Sequence, residues 1–396
     1  MKIRTLKDIS EIKGKKILLR VDFNVPLEEN GEIRDDTRIK ESLPTIEKLV
    51  EEGGKVIILS HLGRPKGKMD ETLRLTKVAE HLEKLTGKQV KKSSEILGDE
   101  TEKIISGMNE GDIAMLENIR FSPGEEECEP EFTKKLAGLG EIFINDAFGA
   151  AHRKHASTAG IADHLPAYAG LLMEKEITAL SPLLSDKIEK PLTVIFGGAK
   201  IDTKIGIIKN FLGKADYFLV GGALANTFLA AAGYNVGESL YEKDKIGTAR
   251  DIMLECEKKK EHFILPHDVV CAEEISEDAE TIDIPVEDVI GNMKILDIGK
   301  WTTEKYCNIL EKSKTVIWNG PLGLSEHTPF QNGTKTIAEF LAKHDSTSII
   351  GGGDTADAIK KLGIDESGFT HISTGGGACI EFLSGDKLPG IEALKK

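Results

Sequence analysis

The stretch STSIIGGGDTADAIKKLG at Ser346–Gly363 decides the reading of the fold. A short β-rich apolar run stops at three glycines. Asp354 and Thr355 then open a pattern with Ala356, Ile359 and Leu362 on one helical face. A strand that turns straight into a helix leaves backbone N–H groups unpaired at the helix start. With the positive end of the helix dipole, those groups favour an anion, typically a phosphate. Asp354 in that turn has two readings: a carboxylate that caps the helix, or one that holds a Mg²⁺ riding on phosphates. A glycine run alone does not choose between a tight turn and a phosphate site.

The same plan recurs through the second half of the chain. TVIFGGAKIDTK at Thr193–Lys204, YFLVGGALANTF at Tyr217–Phe228, TVIWNGPLGLSEH at Thr315–His327 and HISTGGGACIEFL at His371–Leu383 are apolar runs ending in glycine-rich turns. Such turns suit a surface where backbone approaches a ligand closely. Lys200 and Lys204 are four apart and share a helix face if the turn between them is helical.

The first half alternates strands and helices in the same way but ends its strands differently. KILLRV at Lys16–Val21 runs into DFNVP, VIILS at Val56–Ser60 into HLGRPKG, Ile113–Leu116 into ENIRF, and Ile142–Ile144 into NDAFGAAHRKH. Helix patterns at Thr37–Glu52 and Leu75–Thr86 lie between, so both halves read as βαβ units with a parallel sheet. Ligands of such sheets bind at the carboxyl ends of the strands. There stand Arg20, Asp22 and Asn24, then His61 and Arg64, Arg120, and His152, Arg153 and His155. Together they suit a small polyanion better than scattered surface charge does. Arg38 falls in the first turn of a helix, where the dipole disfavours a cation. A bound anion would remove that conflict, and so would neutralisation by the adjacent Asp35 and Asp36. His152 and His155 lack a clear third ligand, and Arg153 between them opposes a zinc site. Gly170–Asp186 reads as a helix joining two domains, ended or kinked near Ser181 by Pro182.

A length of 396 residues predicts two or three domains, and a net charge of −14 disfavours nucleic acid and anionic membranes as partners. Five scattered cysteines without a C-x-x-C pair fit free thiols in a reducing compartment. With no apolar leader at the start, the expectation is a cytoplasmic protein. Neither a G-x-G-x-x-G after a strand nor a Walker A loop is present, which removes the signature of a dinucleotide dehydrogenase. An arginine-lined half and a glycine-lined half joined by a helix fit phosphoryl transfer, which needs positioning and positive charge more than covalent chemistry. The competing reading is a two-domain nucleotide-binding protein that closes on its ligand without transferase chemistry.

In order, RVDFNVP, DDTRI, SHLGRPKG, ENIRF, NDAFGAAHRKHAST, LMEKE, GGAK, WNGP, GGGDT, STGGGA and LPGIEAL resemble the phosphoglycerate kinase family over nearly the whole chain. The resemblance implies an α/β fold of two Rossmann-like, doubly wound parallel-sheet domains joined by a helix, with a hinged cleft. It implies transfer of a phosphoryl group between ATP and 3-phosphoglycerate, or between 1,3-bisphosphoglycerate and ADP, with Mg²⁺, by a monomer. The triose site it implies comprises Asp22, Phe23, Asn24, Arg38, His61, Leu62, Gly63, Arg64, Arg120 and Arg153. The implied nucleotide site comprises Gly198, Ala199, Lys204, Gly221, Gly222, Gly291, Asn319, Pro321, Glu326, Gly351, Gly352, Gly353, Asp354 and Thr355, with Asp354 on the metal. Arg38, Lys200 and Lys204 would stabilise the transferring group, aided by the turn at Gly375 and Gly376. The implied domains are residues 1–170 for the triose, a helix at 171–186, residues 187–377 for the nucleotide, and 378–396 returning to the first domain. Three stretches depart from the family pattern: GLSE at Gly323–Glu326 for the usual GVFE, LDIGKWT at Leu296–Thr302 without its proline, and GGAKIDTK for GGAKVSDK.

Overall fold

The structure is a computed structural model that describes residues 1–185 and 187–395. The chain forms two compact units, Met1–Thr178 together with the segment from Lys387, and Ala179–Asp386.

The first unit is built on β1 (Lys16–Arg20), β2 (Lys55–Leu59), β3 (Val90–Lys92), β4 (Ile113–Met115), β5 (Ile142–Asn145) and β6 (Ala167–Ala169). All pair in parallel, in the order β3-β4-β2-β1-β5-β6. Ile17, Leu18 and Leu19 are fully buried in succession, so β1 is covered on both faces. That explains why it reads as an unbroken apolar run rather than an alternating one. The chain leaves β1 toward β2 on one side and later adds β5 on the other. This reversal opens a crevice at the carboxyl ends of β1 and β5. Thr37–Glu51 and Thr76–Thr86 are helical as expected, and the first continues through Pro44.

The helix at Leu171–Leu180 gives way to a 3₁₀ turn at Ser181–Leu184, where Pro182 lacks the N–H that a further α-turn would use. Asp186, the expected end of this linker, and Lys396 lie outside the described residues. The division between units falls inside this helix, after Thr178 rather than at residue 170.

The second unit repeats the architecture with β7 (Leu192–Phe196), β8 (Tyr217–Val220) and β9 (His262–Ile264) on one side of its reversal. Further along the chain, β13 (Thr315–Asn319), β14 (Thr347–Gly351) and β15 (His371–Ile372) lie on the other. The parallel order is β15-β14-β13-β7-β8-β9. It adds a feature that the alternation did not announce. β10 (Asp268–Ala272), β11 (Ile282–Pro285) and β12 (Lys294–Ile298) form a separate antiparallel sheet with its own apolar cluster, including Val269, Cys271, Val286 and Ile295.

The return to the first unit starts later than residue 378. The helix Gly377–Leu383 packs on the helix Asp202–Phe211 of the second unit, where Asn210 Nδ2 donates to Leu383 O at 2.7 Å. From Lys387 onward the contacts are with the first unit. Gly390 N donates to Ala151 O at 2.8 Å, Arg4 N donates to Leu394 O at 2.8 Å, and Leu388, Ile391 and Leu394 are buried.

Candidate functional site

In the first unit, parallel pairing brings the ends of β1, β2, β4 and β5 to one edge, and their loops form one polar network. Arg20, the last residue of β1, is fully buried. It donates from Nε to Ser157 Oγ at 2.8 Å and from Nη2 to His61 Nδ1 at 3.1 Å. Ser157 in turn donates to buried Glu125 at 2.7 Å. Burial, then the charges of Arg20, Arg120, Arg153 and Arg38, hold His61 well below its ordinary pKa. His61 is therefore neutral. Because Nδ1 accepts from Arg20, its proton sits on Nε2, which makes the ring a hydrogen-bond donor.

Arg120 is 2 % exposed and donates from Nη1 to Gly63 O at 2.8 Å, while its Nε lies 3.4 Å from Glu126 Oε1 without a hydrogen bond. Burial, with Arg153 and Arg20 nearby, lowers its pKa to about 10. The neighbouring His152 Nδ1 is also buried without a partner. Arg38 lies in the first turn of Thr37–Glu51, as its sequence position requires. Asp36 has other partners. Asp36 pairs with Lys40 and His81, each at 3.0 Å, whereas Arg38 Nη1 reaches Asp22 Oδ2 at 3.2 Å and Asn24 O at 3.1 Å. Asn24 Oδ1 accepts from Gly63 N at 2.8 Å.

Asp22, Asn24, Arg38, His61, Gly63, Arg120 and Arg153 are thus brought together. Arg64 is exposed, and no hydrogen bond or ion pair holds it among the described residues. Phe23 and Leu62 are buried packing residues. Sequence reading placed Arg20 among the basic strand-end residues but not in the triose site, and its contacts make it the group that fixes the His61 tautomer.

In the second unit the reversal between β7 and β13 juxtaposes two glycine turns. A Cβ at Gly197 would lie 2.0 Å from Pro321 O, and one at Gly320 would lie 2.3 Å from Gly197 O. Gly221 and Gly222 likewise face Leu322 and Gly198 within 3 Å. These glycines allow the two turns to pack closely on each other, and Gly222 lines a cavity as well. Gly198, Gly291, Gly353, Gly376 and Gly377 differ, since a Cβ there would meet nothing within 4 Å. Gly353 begins the helix Gly353–Lys361, capped by Gly352. Asp354 sits in its first turn, exposed, and makes no capping hydrogen bond.

A cavity of about 780 Å³ lies in this unit, large enough for a nucleotide-sized ligand. Gly198, Ala199, Gly222, Pro321, Glu326 and Asp354 line it. Gly221, Asn319, Gly351, Gly352 and Thr355 do not, and they support it from behind. Asn319 Nδ2 donates to Gly351 O at 2.7 Å, and Thr355 Oγ1 accepts from Gly320 N at 2.7 Å. Lys204 is 7 % exposed and donates to Asn319 Oδ1. Burial lowers its pKa to about 8, with Asp354 opposing the shift. Lys200 stands exposed ahead of the helix Asp202–Phe211, so the two lysines do not share a helix face. The cavity also has a wall that sequence reading missed: Gly237–Tyr241 and Lys243, with Ile275 from the β10–β11 loop and Lys294 and Leu296 from β12. Its only signal in the sequence is VGESLY, an apolar–glycine loop in which Leu240 is left 69 % exposed.

Among the described residues no group of three or more His, Cys, Asp or Glu is arranged to hold a metal. A single exposed carboxylate at a helix start fits Mg²⁺ that takes its remaining ligands from phosphates and water.

Two doubly wound units, one gathering guanidinium groups and the other glycine turns beside a nucleotide-sized cavity, define a phosphotransferase. The family model for phosphoglycerate kinase matches residues 6–386, and the chain belongs to that family. Among solved structures, phosphoglycerate kinase from Coxiella burnetii is 38% identical with a TM-score of 0.88, the match covering 99% of this chain and 98% of that one. Phosphoglycerate kinase from Pyrococcus horikoshii OT3 is 35% identical with a TM-score of 0.87, over 99% and 98% of the two chains.

Proposed function

We propose that the first unit binds 3-phosphoglycerate or 1,3-bisphosphoglycerate and the second binds ADP or ATP, with direct in-line transfer between them. The observation that carries this reading is the convergence of Arg20, Arg38, Arg120 and Arg153 on one neutral histidine, His61. Four guanidinium groups so close together are only partly balanced by Asp22, Glu125 and Glu126, and Arg120 Nε, 3.4 Å from Glu126 Oε1, makes no hydrogen bond. Arg120, Arg153 and the His61 Nε2–H hold the phosphate and carboxylate of the triose, and Asp22 and Asn24 orient Arg38. Arg64, being exposed, closes over the ligand.

The nucleotide occupies the 780 Å³ cavity, its phosphates at the Gly353 helix start, with Glu326 toward the sugar and Gly291 beside the Gly237 loop. Asp354 would hold Mg²⁺, which would supply positive charge against the phosphates. Arg38, Lys200 and Lys204 stabilise charge on the transferring group, and the N–H groups at Gly375 and Gly376 add to them. The helix Leu171–Leu180 acts as a hinge whose closure keeps water from competing as acceptor. The protein works as a cytoplasmic monomer.

A coupled assay tests the reading. ATP-dependent consumption of 3-phosphoglycerate, absent when either substrate is omitted, is expected. Tight nucleotide binding with no turnover would favour a closing binding protein instead.

A further inference from the structure

The loop after Gly237 both walls the nucleotide cavity and reaches the helix that carries Lys204. Tyr241 and Lys243 line the cavity, whereas Glu242 between them does not. Glu242 Oε2 accepts from Ile201 N at 2.6 Å, at the head of the helix Asp202–Phe211. That helix has no side-chain cap of its own, so Glu242 supplies one from outside. The loop is fixed from behind. Glu242 N donates to Thr227 Oγ1 at 3.1 Å and Asn226 Nδ2 donates to Leu240 O at 3.1 Å, both from fully buried side chains. Lys245 adds a second tie, 2.9 Å from Asp202 Oδ1. The helix head so clamped carries Lys204 in its first turn, with Lys200 immediately before Ile201.

We propose that Glu242 is a positioning residue for phosphoryl transfer: by capping this helix from the cavity loop, it couples seating of the nucleotide to the placement of Lys200 and Lys204. The proposal rests on the roles given to those lysines above. With the Ile201 amide occupied by a carboxylate, this helix start is less open to phosphate than the start at Gly353, where a Cβ would meet nothing within 4 Å.

The test uses the full chain in steady-state kinetics with ATP and 3-phosphoglycerate. Glu242→Ala should lower kcat by about tenfold to a hundredfold, the scale of a misplaced catalytic group, without raising KM for 3-phosphoglycerate. Glu242→Gln, whose amide oxygen still accepts from Ile201 N, should retain most of the rate. In a Lys200→Ala/Lys204→Ala background the Ala substitution should cost no more than about twofold, because both groups it places are gone. Wild-type kcat in a folded Glu242→Ala protein, or losses that multiply in that background, would overturn the proposal. If Glu242→Ala does not fold, Glu242→Gln against Glu242→Met decides it, and equal kcat for the two overturns it. If Lys200→Ala and Lys204→Ala leave kcat intact, the reading of the lysines fails and the proposal with it. Hydrogen exchange of the Ile201–Lys204 amides separates the two failures, being faster in Glu242→Ala only where the cap is real.

Discussion

Arg38 pairs with Asp22 at 3.2 Å across the loop after β1, although Asp35 and Asp36 stand just before it in the chain. The pairing holds a guanidinium at a helix start, where the dipole opposes it, and aims it from the side of the arginine cluster. Its planar fork matches two phosphoryl oxygens, and charge on that group shifts most in the transition state.

Arg38→Ala is therefore expected to cut kcat by at least about 10³-fold, the scale of losing a charge-stabilising group. Binding of 3-phosphoglycerate should weaken far less, since Arg120 and Arg153 remain. Arg38→Lys should rescue only in part, because a point charge cannot reproduce the fork. Steady-state kinetics beside a binding titration check this. A variant whose sole defect is a raised KM would move the phosphoryl role to Lys200 and Lys204.

Asp354 makes no helix-capping hydrogen bond, so its removal should be felt through the metal rather than through stability. Asp354→Asn is expected to weaken Mg²⁺-nucleotide more than metal-free nucleotide in calorimetry. Its melting temperature should stay within the range of a surface substitution. Equal losses for both nucleotide forms would remove the metal role.

Lys204 gives a pH signature in two readouts. Burial lowers its pKa from 10.5 to about 8, so the unfolded chain holds this proton more tightly than the folded one. Stability should then rise with pH between about 8 and about 10.4, and Lys204→Met should flatten that rise in denaturant titrations. In kcat/KM for ATP the sign is opposite. Transfer needs the charged lysine, so activity should fall as pH rises through about 8, and Lys204→Arg should shift that limb upward. A profile flat from pH 7 to 9 would show that Lys204 does not titrate in the free enzyme.

Two glycines in the turns after β7 and β14 should behave oppositely. Gly197→Ala brings a Cβ to 2.0 Å from Pro321 O and should destabilise the second unit by several kcal/mol or prevent folding. Gly353→Ala meets nothing within 4 Å and starts a helix, so it should fold as well as the parent. It should nevertheless weaken ATP binding, because the methyl group occupies the phosphate approach. Thermal melts and calorimetry on both variants check this. ATP affinity unchanged by Gly353→Ala would place the phosphates elsewhere.

What the sequence alone determined is local. Apolar runs stopped by glycine or by charged turns give the strands, Pro182 ends its helix because it lacks an N–H, and Arg38 falls in a first turn by count from Asp36. The ordered motifs carried the family, because each marks chemistry at a strand end. Only the tertiary structure decided which strand ends meet. The order β3-β4-β2-β1-β5-β6 puts residues from 20 to 153 around His61, and β7 beside β13 separates glycines that pack on backbone from glycines that face open space. In one dimension Arg20 is a basic residue at a strand end and Lys204 one after a glycine turn, and burial beside specific partners is what makes one an anchor and the other titratable near neutrality. The Glu242 cap and the cavity wall were illegible for the same reason. A hydrogen bond or a pocket spanning forty residues of chain leaves no periodicity behind it, since it depends on where separately folded elements pack and not on the residues next to it in sequence.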